Sequence, residues 1–237
     1  EFPHLDEATK GLKVQGWSVR MLQIMGITLD VRGEVPSHGP LLLVANHISW
    51  LDILVLHASR HCRFVSKADV HHWPVIGTLA NGCGTVFVER ESRRDAMRVV
   101  HHMADALRSG DVLAIFPEGT TSDGISLLPF HANLIQAAVS AGAPVQPVAL
   151  SFLDGRTGAP TLAPCYIGDD TLIGSIWRTL TTPGTVAGLT MTPASATRPP
   201  VPVWPCVSSP QHFTVPSGFF AHEWFSPAAT CKKGCRC

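Results

Sequence analysis

Charge of either sign is in no excess in this chain, where 18 Lys and Arg offset 18 Asp and Glu. That balance leaves no electrostatic footprint for nucleic acid, whose partners concentrate positive charge on one face. No apolar run reaches the roughly 18–20 residues that a membrane-spanning helix needs. The start also lacks the basic, apolar and small-residue succession of a secretion signal. Because the chain opens on Glu1 rather than Met, a preceding segment that carries an anchor is compatible with it. Paired cysteines at metal-binding spacing are missing as well. The seven cysteines are an odd number, and Cys206, Cys231, Cys235 and Cys237 do not form the two paired halves of a zinc site. Without a secretion signal a disulfide framework is not expected, and Cys62, Cys83 and Cys165 lie in or near apolar runs as buried thiols. There are no internal repeats. Charged residues make up only 15% of the chain, which leaves room for an apolar surface facing lipid or a partner.

What is present is enough chain, 237 residues, to bury a substantial core as one domain. Short apolar runs alternate with helical patterns, the signature of an α/β layer architecture with a largely buried sheet. Strands are expected at 27–31, 41–45, 62–66, 85–88, 112–116 and 145–150, and helices at 92–109 and 131–141. In the first of these helices Ala96, Val99, Val100, Met103 and Leu107 share a face, and Gly110 stops it. Residues 7–27 form a further expected helix, with Val14, Trp17, Met21, Leu22, Ile24 and Met25 set against Lys10, Lys13, Gln15 and Arg20. Such a basic amphipathic helix either lies in a membrane interface or packs on the core. Composition breaks near Pro183: the last 55 residues hold 9 of the 19 prolines but only 5 of the 36 charged residues. Residues 1–192 are therefore read as the folded domain and 193–237 as an irregular Pro/Cys-rich tail without periodicity, a candidate for disorder.

The stretch Asn46-His47-Ile48-Ser49-Trp50-Leu51-Asp52 follows the apolar run Leu41–Ala45 and precedes a helical pattern. His47 thus falls in a strand-to-helix turn, where a side chain can face a cleft on an anchored backbone. Asp52 can fold back on one ring nitrogen, which leaves the other free to take a proton from a hydroxyl. No serine or cysteine nucleophile is needed, since the substrate's own alcohol can attack. Alone, His-x4-Asp occurs by chance in many chains. Three further stretches sit at the ends of expected strands, where α/β sheets assemble their sites. Gly84–Arg90 delivers Arg90, which can grip a phosphate or carboxylate. Phe116-Pro117-Glu118-Gly119-Thr120 projects a carboxylate beside a glycine that lets a ligand approach the backbone. Pro144–Val148 is a proline-bearing strand, suited to an edge or site-facing position.

Together and in this order, the four blocks resemble those of the glycerolipid acyltransferase family, in particular the bacterial 1-acylglycerol-3-phosphate acyltransferases. Asn-His-x4-Asp matches at 46–52, Gly-x-x-Phe-x-x-Arg at 84–90, Phe-Pro-Glu-Gly-Thr at 116–120 and the valine-proline block at 145–148. The resemblance implies an α/β fold with a mixed, largely buried sheet flanked by helices, and an N-terminal amphipathic helix. It implies acyl transfer from a thioester, acyl-CoA or acyl carrier protein, to a hydroxyl of a lysophospholipid, giving phosphatidic acid at the cytoplasmic face of the bacterial inner membrane. By the same resemblance His47 is the general base and Asp52 its orienting partner. Backbone amides near the turn would meet the oxyanion. Arg90 would hold the acceptor phosphate, with Lys67 a second phosphate candidate, and Glu118, Gly119 and Thr120 would position the acceptor. Neither a metal nor an organic cofactor is implied. In one departure, Thr121-Ser122-Asp123 stands where many family members carry arginine, so one expected cation is missing. Relatives that acylate lyso-ornithine lipids share the blocks and form the close alternative. An inactive lipid-binding protein has no need of the base, and thioester hydrolysis leaves Arg90 and Glu118 without an acceptor.

Overall fold

The fold was described from a computed structural model of the chain, covering residues 4–72, 76–88 and 93–195. Of the expected tail, only residues 193–195 are described. Among the described residues the elements run in the order α1 (Glu7–Ile24), β1 (Thr28–Arg32), β2 (Leu41–Ala45), α2 (Leu51–Ser59), β3 (Arg63–Lys67), α3 (Ile76–Gly82), β4 (Val86–Val88), α4 (Arg93–Arg108), β5 (Val112–Ile115), α5 (Ala132–Ala141), β6 (Val145–Asp154), α6 (Leu172–Thr181) and β7 (Thr185–Met191), with a short 3-10 turn at Ala68–His72. The strands form one seven-stranded sheet in the order β1-β7-β6-β2-β5-β3-β4. Every pairing is parallel except β6 with β7, so the sheet is mixed.

All five residues of β2 are buried, as are the four of β5, which explains their uninterrupted apolar runs: both faces of the central sheet are covered. Leu41, Leu43 and Ala45 join a cluster with Leu22 of α1 and Leu51, Val55 and Leu56 of α2. Leu42, Val44, Leu113 and Ile115 are buried outside that cluster, as are Val99, Met103 and Leu107 of α4 and Leu134 and Ala137 of α5. The chain leaves β2 through α2 toward β3, whereas it leaves β5 through α5 toward β6, in the opposite direction. Right-handed crossovers then put α2 and α5 on opposite faces, which opens a crevice between the carboxyl ends of β2 and β5.

Two elements depart from the sequence expectations. β7 arises inside the composition break, and its inward positions Thr185, Ala187, Leu189 and Met191 alternate with half-buried ones. Pro147 lies in an interior strand rather than an edge, because β6 is flanked by β7 and β2. The Pro147 carbonyl still accepts from the Thr192 amide at 3.1 Å, and the Thr192 carbonyl, which the missing N–H would have met, accepts instead from the Gln146 side-chain amide at 2.7 Å.

Helix α1 starts at Asp6, whose carboxylate accepts from the Thr9 amide at 2.9 Å. Its packing stripe is Gly11, Val14, Ser18 and Leu22, and the Gln15 amide group reaches the last carbonyls of α2 at Ser59, 3.0 Å. Trp17 and Ile24, expected on the apolar face, point outward. No helix among the described residues is long and apolar enough to cross a membrane. Cys62 and Cys165 are buried, and burial pushes the Cys62 thiol up to about 12.

Under α1 the buried His57 stacks on the half-buried His61 with ring centroids 5.2 Å apart. Burial first, then the neighbouring His61, pushes His57 from 6.5 down to about 3. In the fold His57 is therefore neutral across the range in which the unfolded chain protonates it. The stability tied to this neutral ring is present above pH 6.5 and lost as pH falls toward 3. The slope is up to about 1.4 kcal/mol per pH unit. Melting temperatures should fall between pH 6.5 and 4.5 in the wild type, and the fall should be shallower in His57→Phe. Equal slopes would show that other groups dominate.

Candidate active site

The crevice between β2 and β5 is where the first and third motifs meet. Asn46 ends β2 with a two-bond clamp on β6, its amide group donating to the Leu150 carbonyl (3.0 Å) and its oxygen accepting from the Leu150 N–H (2.7 Å). That clamp fixes the chain just before His47. The imidazole Nδ1 lies 2.8 Å from Asp52 Oδ2. Asp52, in the first turn of α2, turns the same oxygen back onto the Ile48 amide at 2.7 Å and the Ser49 amide at 2.9 Å. Its side chain is fully buried, whereas 19% of the His47 side chain is exposed. The carboxylate is thus anchored by backbone donors, and the ring keeps one edge open to the crevice. This arrangement can hold Nδ1 as the donor to Asp52 and present Nε2 to a hydroxyl.

Phe-Pro-Glu-Gly-Thr packs against this dyad from the end of β5. Glu118 is buried, and its Oε1 accepts from the His47 amide (2.9 Å) while Oε2 accepts from the Leu128 amide (3.0 Å). Burial raises its carboxyl above the usual range, opposed by these two hydrogen bonds. Glu118, expected to position the acceptor, braces two loops in this structure, because their backbone amides converge on its carboxylate. Gly119 adopts a left-handed conformation, φ 71°, and donates to the Phe116 carbonyl at 3.1 Å, closing the turn that leaves Thr120 exposed. The following residues complete the wall. The Ser122 amide donates to the His47 carbonyl at 2.8 Å, and the Thr121 hydroxyl bonds to the Tyr166 carbonyl. Ser49 and Ser175 both face the Pro164 carbonyl, and the Trp50 indole donates to Ser175 at 3.1 Å, which ties the start of α2 to α6.

The amides of His47, Ile48 and Ser49 are all held by carboxylates, so oxyanion donors near the turn would have to be backbone amides other than these three. Lys67 ends β3 opposite Val88 of β4; its side chain and the whole of Arg90 lie outside the described residues. Sequence reasoning assigned no site role to Asn46 or Phe116. Both lie in the recognised blocks, but their partners come from other strands. Phe116 stacks on the His47 ring with centroids 4.0 Å apart and planes inclined by 13°.

Comparison with known proteins decides the family. The profile of the Acyltransferase family matches residues 27–151, from the end of α1 to the middle of β6. The chain belongs to the acyltransferase family. Its matching region contains His47, Asp52 and the Glu118 brace. Over 164 residues the chain is 43% identical to a lyso-ornithine lipid O-acyltransferase of Pseudomonas aeruginosa, an alignment that covers 69% of this chain and 62% of that one. Over 159 residues it is 40% identical to a 1-acyl-sn-glycerol-3-phosphate acyltransferase of Neisseria meningitidis, covering 67% and 62%. The chain therefore spans about three fifths of the length of these relatives. The crystal structure of a 1-acyl-sn-glycerophosphate acyltransferase from Thermotoga maritima shares the fold, with a TM-score of 0.57 over 79% of this chain and 69% of that one at 22% identity.

Proposed function

We propose that this acyltransferase moves a fatty acyl group from a thioester to the free hydroxyl of a lysolipid, with 1-acylglycerol-3-phosphate as the acceptor and phosphatidic acid as the product. The observation that carries the reading is the His47–Asp52 dyad, 2.8 Å apart at the β2–β5 crevice of a family acyltransferase. His47 Nε2 takes the hydroxyl proton as that oxygen attacks the thioester carbonyl. The tetrahedral intermediate collapses by breaking the C–S bond, and the imidazolium returns its proton to the departing thiolate. Asp52 keeps Nδ1 as the donor and stabilises the imidazolium between the two steps. Glu118 acts as a positioning residue for the His47 backbone. Arg90 and Lys67 are assigned to the acceptor phosphate, and Gly119 and Thr120 line its approach.

A second acceptor reading, lyso-ornithine lipid, is favoured by Thr121. Its hydroxyl is committed to the Tyr166 carbonyl at the position where the family resemblance leads one to expect an arginine. In either case the substrates are lipids, so the enzyme works at a membrane surface, on the cytoplasmic face where acyl-CoA or acyl carrier protein is available. Trp17 and Ile24 on α1 and Ile173 and Trp177 on α6, all exposed, support contact with such a surface.

The deciding assay follows thiol release from acyl-CoA with lysophosphatidic acid, with lyso-ornithine lipid and with no acceptor, and repeats all three with acyl carrier protein as donor. Release dependent on lysophosphatidic acid is the expected result. Release dependent on lyso-ornithine lipid would keep the chemistry and replace the acceptor. Release without any acceptor would convert the reading to thioester hydrolysis, and silence with both donors would end it.

A further inference from the structure

We infer that Phe116 is a positioning residue for the proposed general base, holding the plane of the His47 imidazole by face-to-face stacking; the inference rests on the reading of His47 as that base. One hydrogen bond at Nδ1 fixes an edge of the ring but still allows the ring to tilt about that bond. Aiming Nε2 requires a second, flat constraint. Phe116 supplies it at a centroid distance of 4.0 Å and an inclination of 13°.

The constraint is rigid because Phe116 is itself backed. Phe64, buried in β3, lies nearly parallel behind it at 5.7 Å and 15°. His57, buried in α2, closes the row edge-on to Phe64 at 5.0 Å and 81°. These rings arrive from β5, β3 and α2, so the stack is set by the tertiary packing of the core and not by one loop. Two residues beyond Phe116, Glu118 holds the His47 amide at 2.9 Å. One short segment therefore grips His47 twice, by main chain and by ring.

The stack also discriminates between the two charge states of the base. An aromatic face over a neutral imidazole contributes packing, but over an imidazolium it adds cation–π attraction. That attraction grows as the hydroxyl proton arrives, so it favours the transition state over the ground state. A leucine of comparable bulk fills the space and supplies neither the flat face nor the attraction.

The test compares Phe116→Leu and Phe116→Tyr with the wild type and with His47→Ala, measuring kcat, both KM values and the melting temperature. Phe116→Leu should lower kcat roughly 3- to 30-fold while both KM values stay within about twofold. Phe116→Tyr, which keeps the ring face, should restore kcat to within about threefold of wild type. Should the leucine variant fail to fold, Phe116→Met is read in its place, since its flexible side chain fills the gap without a flat face. A wild-type kcat without the ring, alongside an inactive His47→Ala, would overturn the role of Phe116 alone. A raised KM with kcat unchanged would also overturn it, making Phe116 a substrate contact. An active His47→Ala would instead overturn the general-base reading on which the inference stands.

Discussion

His47→Ala should lower kcat for acyl transfer roughly 10²–10⁴-fold, the span that a positioned general base contributes. The fold should survive the change. The hydrogen bonds that His47 makes to Glu118 and Ser122 use its amide and carbonyl, which alanine retains. Its ring is partly exposed at the crevice, so removing it opens the site and leaves no closed cavity in the core. The melting temperature should therefore stay close to wild type, and KM for the thioester should change little, because no substrate-holding role is assigned to the ring. Thiol release under saturating substrates measures the first quantity and a thermal melt the second. A folded His47→Ala protein with wild-type kcat would remove the base from the mechanism. One that loses activity only through its melting temperature would make His47 a structural residue.

Why this dyad was legible in the sequence while its supports were not follows from chain separation. His47 and Asp52 are five residues apart across one strand-to-helix turn, so local patterning is enough to bring them together. The strands beneath them were equally readable, since β2 and β5 are buried on both faces and so are written as unbroken apolar runs. The Glu118 brace joins residues 71 apart, and the Asn46 clamp joins residues 104 apart. Both depend on which strands neighbour β2, and strand order is not encoded in any local period. The bracing contacts of Glu118 were hidden for the same reason: the carboxylate of Pro117-Glu118-Gly119 shows no partner in the sequence until β5 is placed beside β2. Strand β7 escaped detection because its stretch Thr185–Met191 is small and weakly apolar, with Ala187 and Gly188 at its centre. Its alternation becomes meaningful only against β6, with which it pairs from Val148–Met191 to Asp154–Thr185.

Asp52 offers the second large effect, and its two substitutions should separate chemistry from folding. One carboxylate oxygen receives three donors, the His47 ring and the Ile48 and Ser49 amides, within 2.7–2.9 Å. In Asp52→Asn the amide oxygen can take that position and satisfy the same donors, so the turn should hold and the melting temperature should fall little. What is lost is the negative charge opposite an imidazolium, and kcat should drop by roughly 10-fold or more, though less than in His47→Ala. Asp52→Ala removes the acceptor itself and leaves two backbone N–H groups unpaired under a fully buried position. Each costs about 1–3 kcal/mol, so this variant should show a clear loss of stability as well as of rate. The double variant His47→Ala/Asp52→Asn then tests whether the pair acts as a unit. If Asp52 works only through the imidazole, the double variant should be no slower than His47→Ala, because the charge has nothing left to stabilise. A further multiplicative loss would mean that Asp52 acts on the reaction by a route independent of the ring. The three contacts of the carboxylate, one to the His47 ring and two to backbone amides, argue against that outcome, since they turn it toward His47 and the turn and bury it away from the crevice.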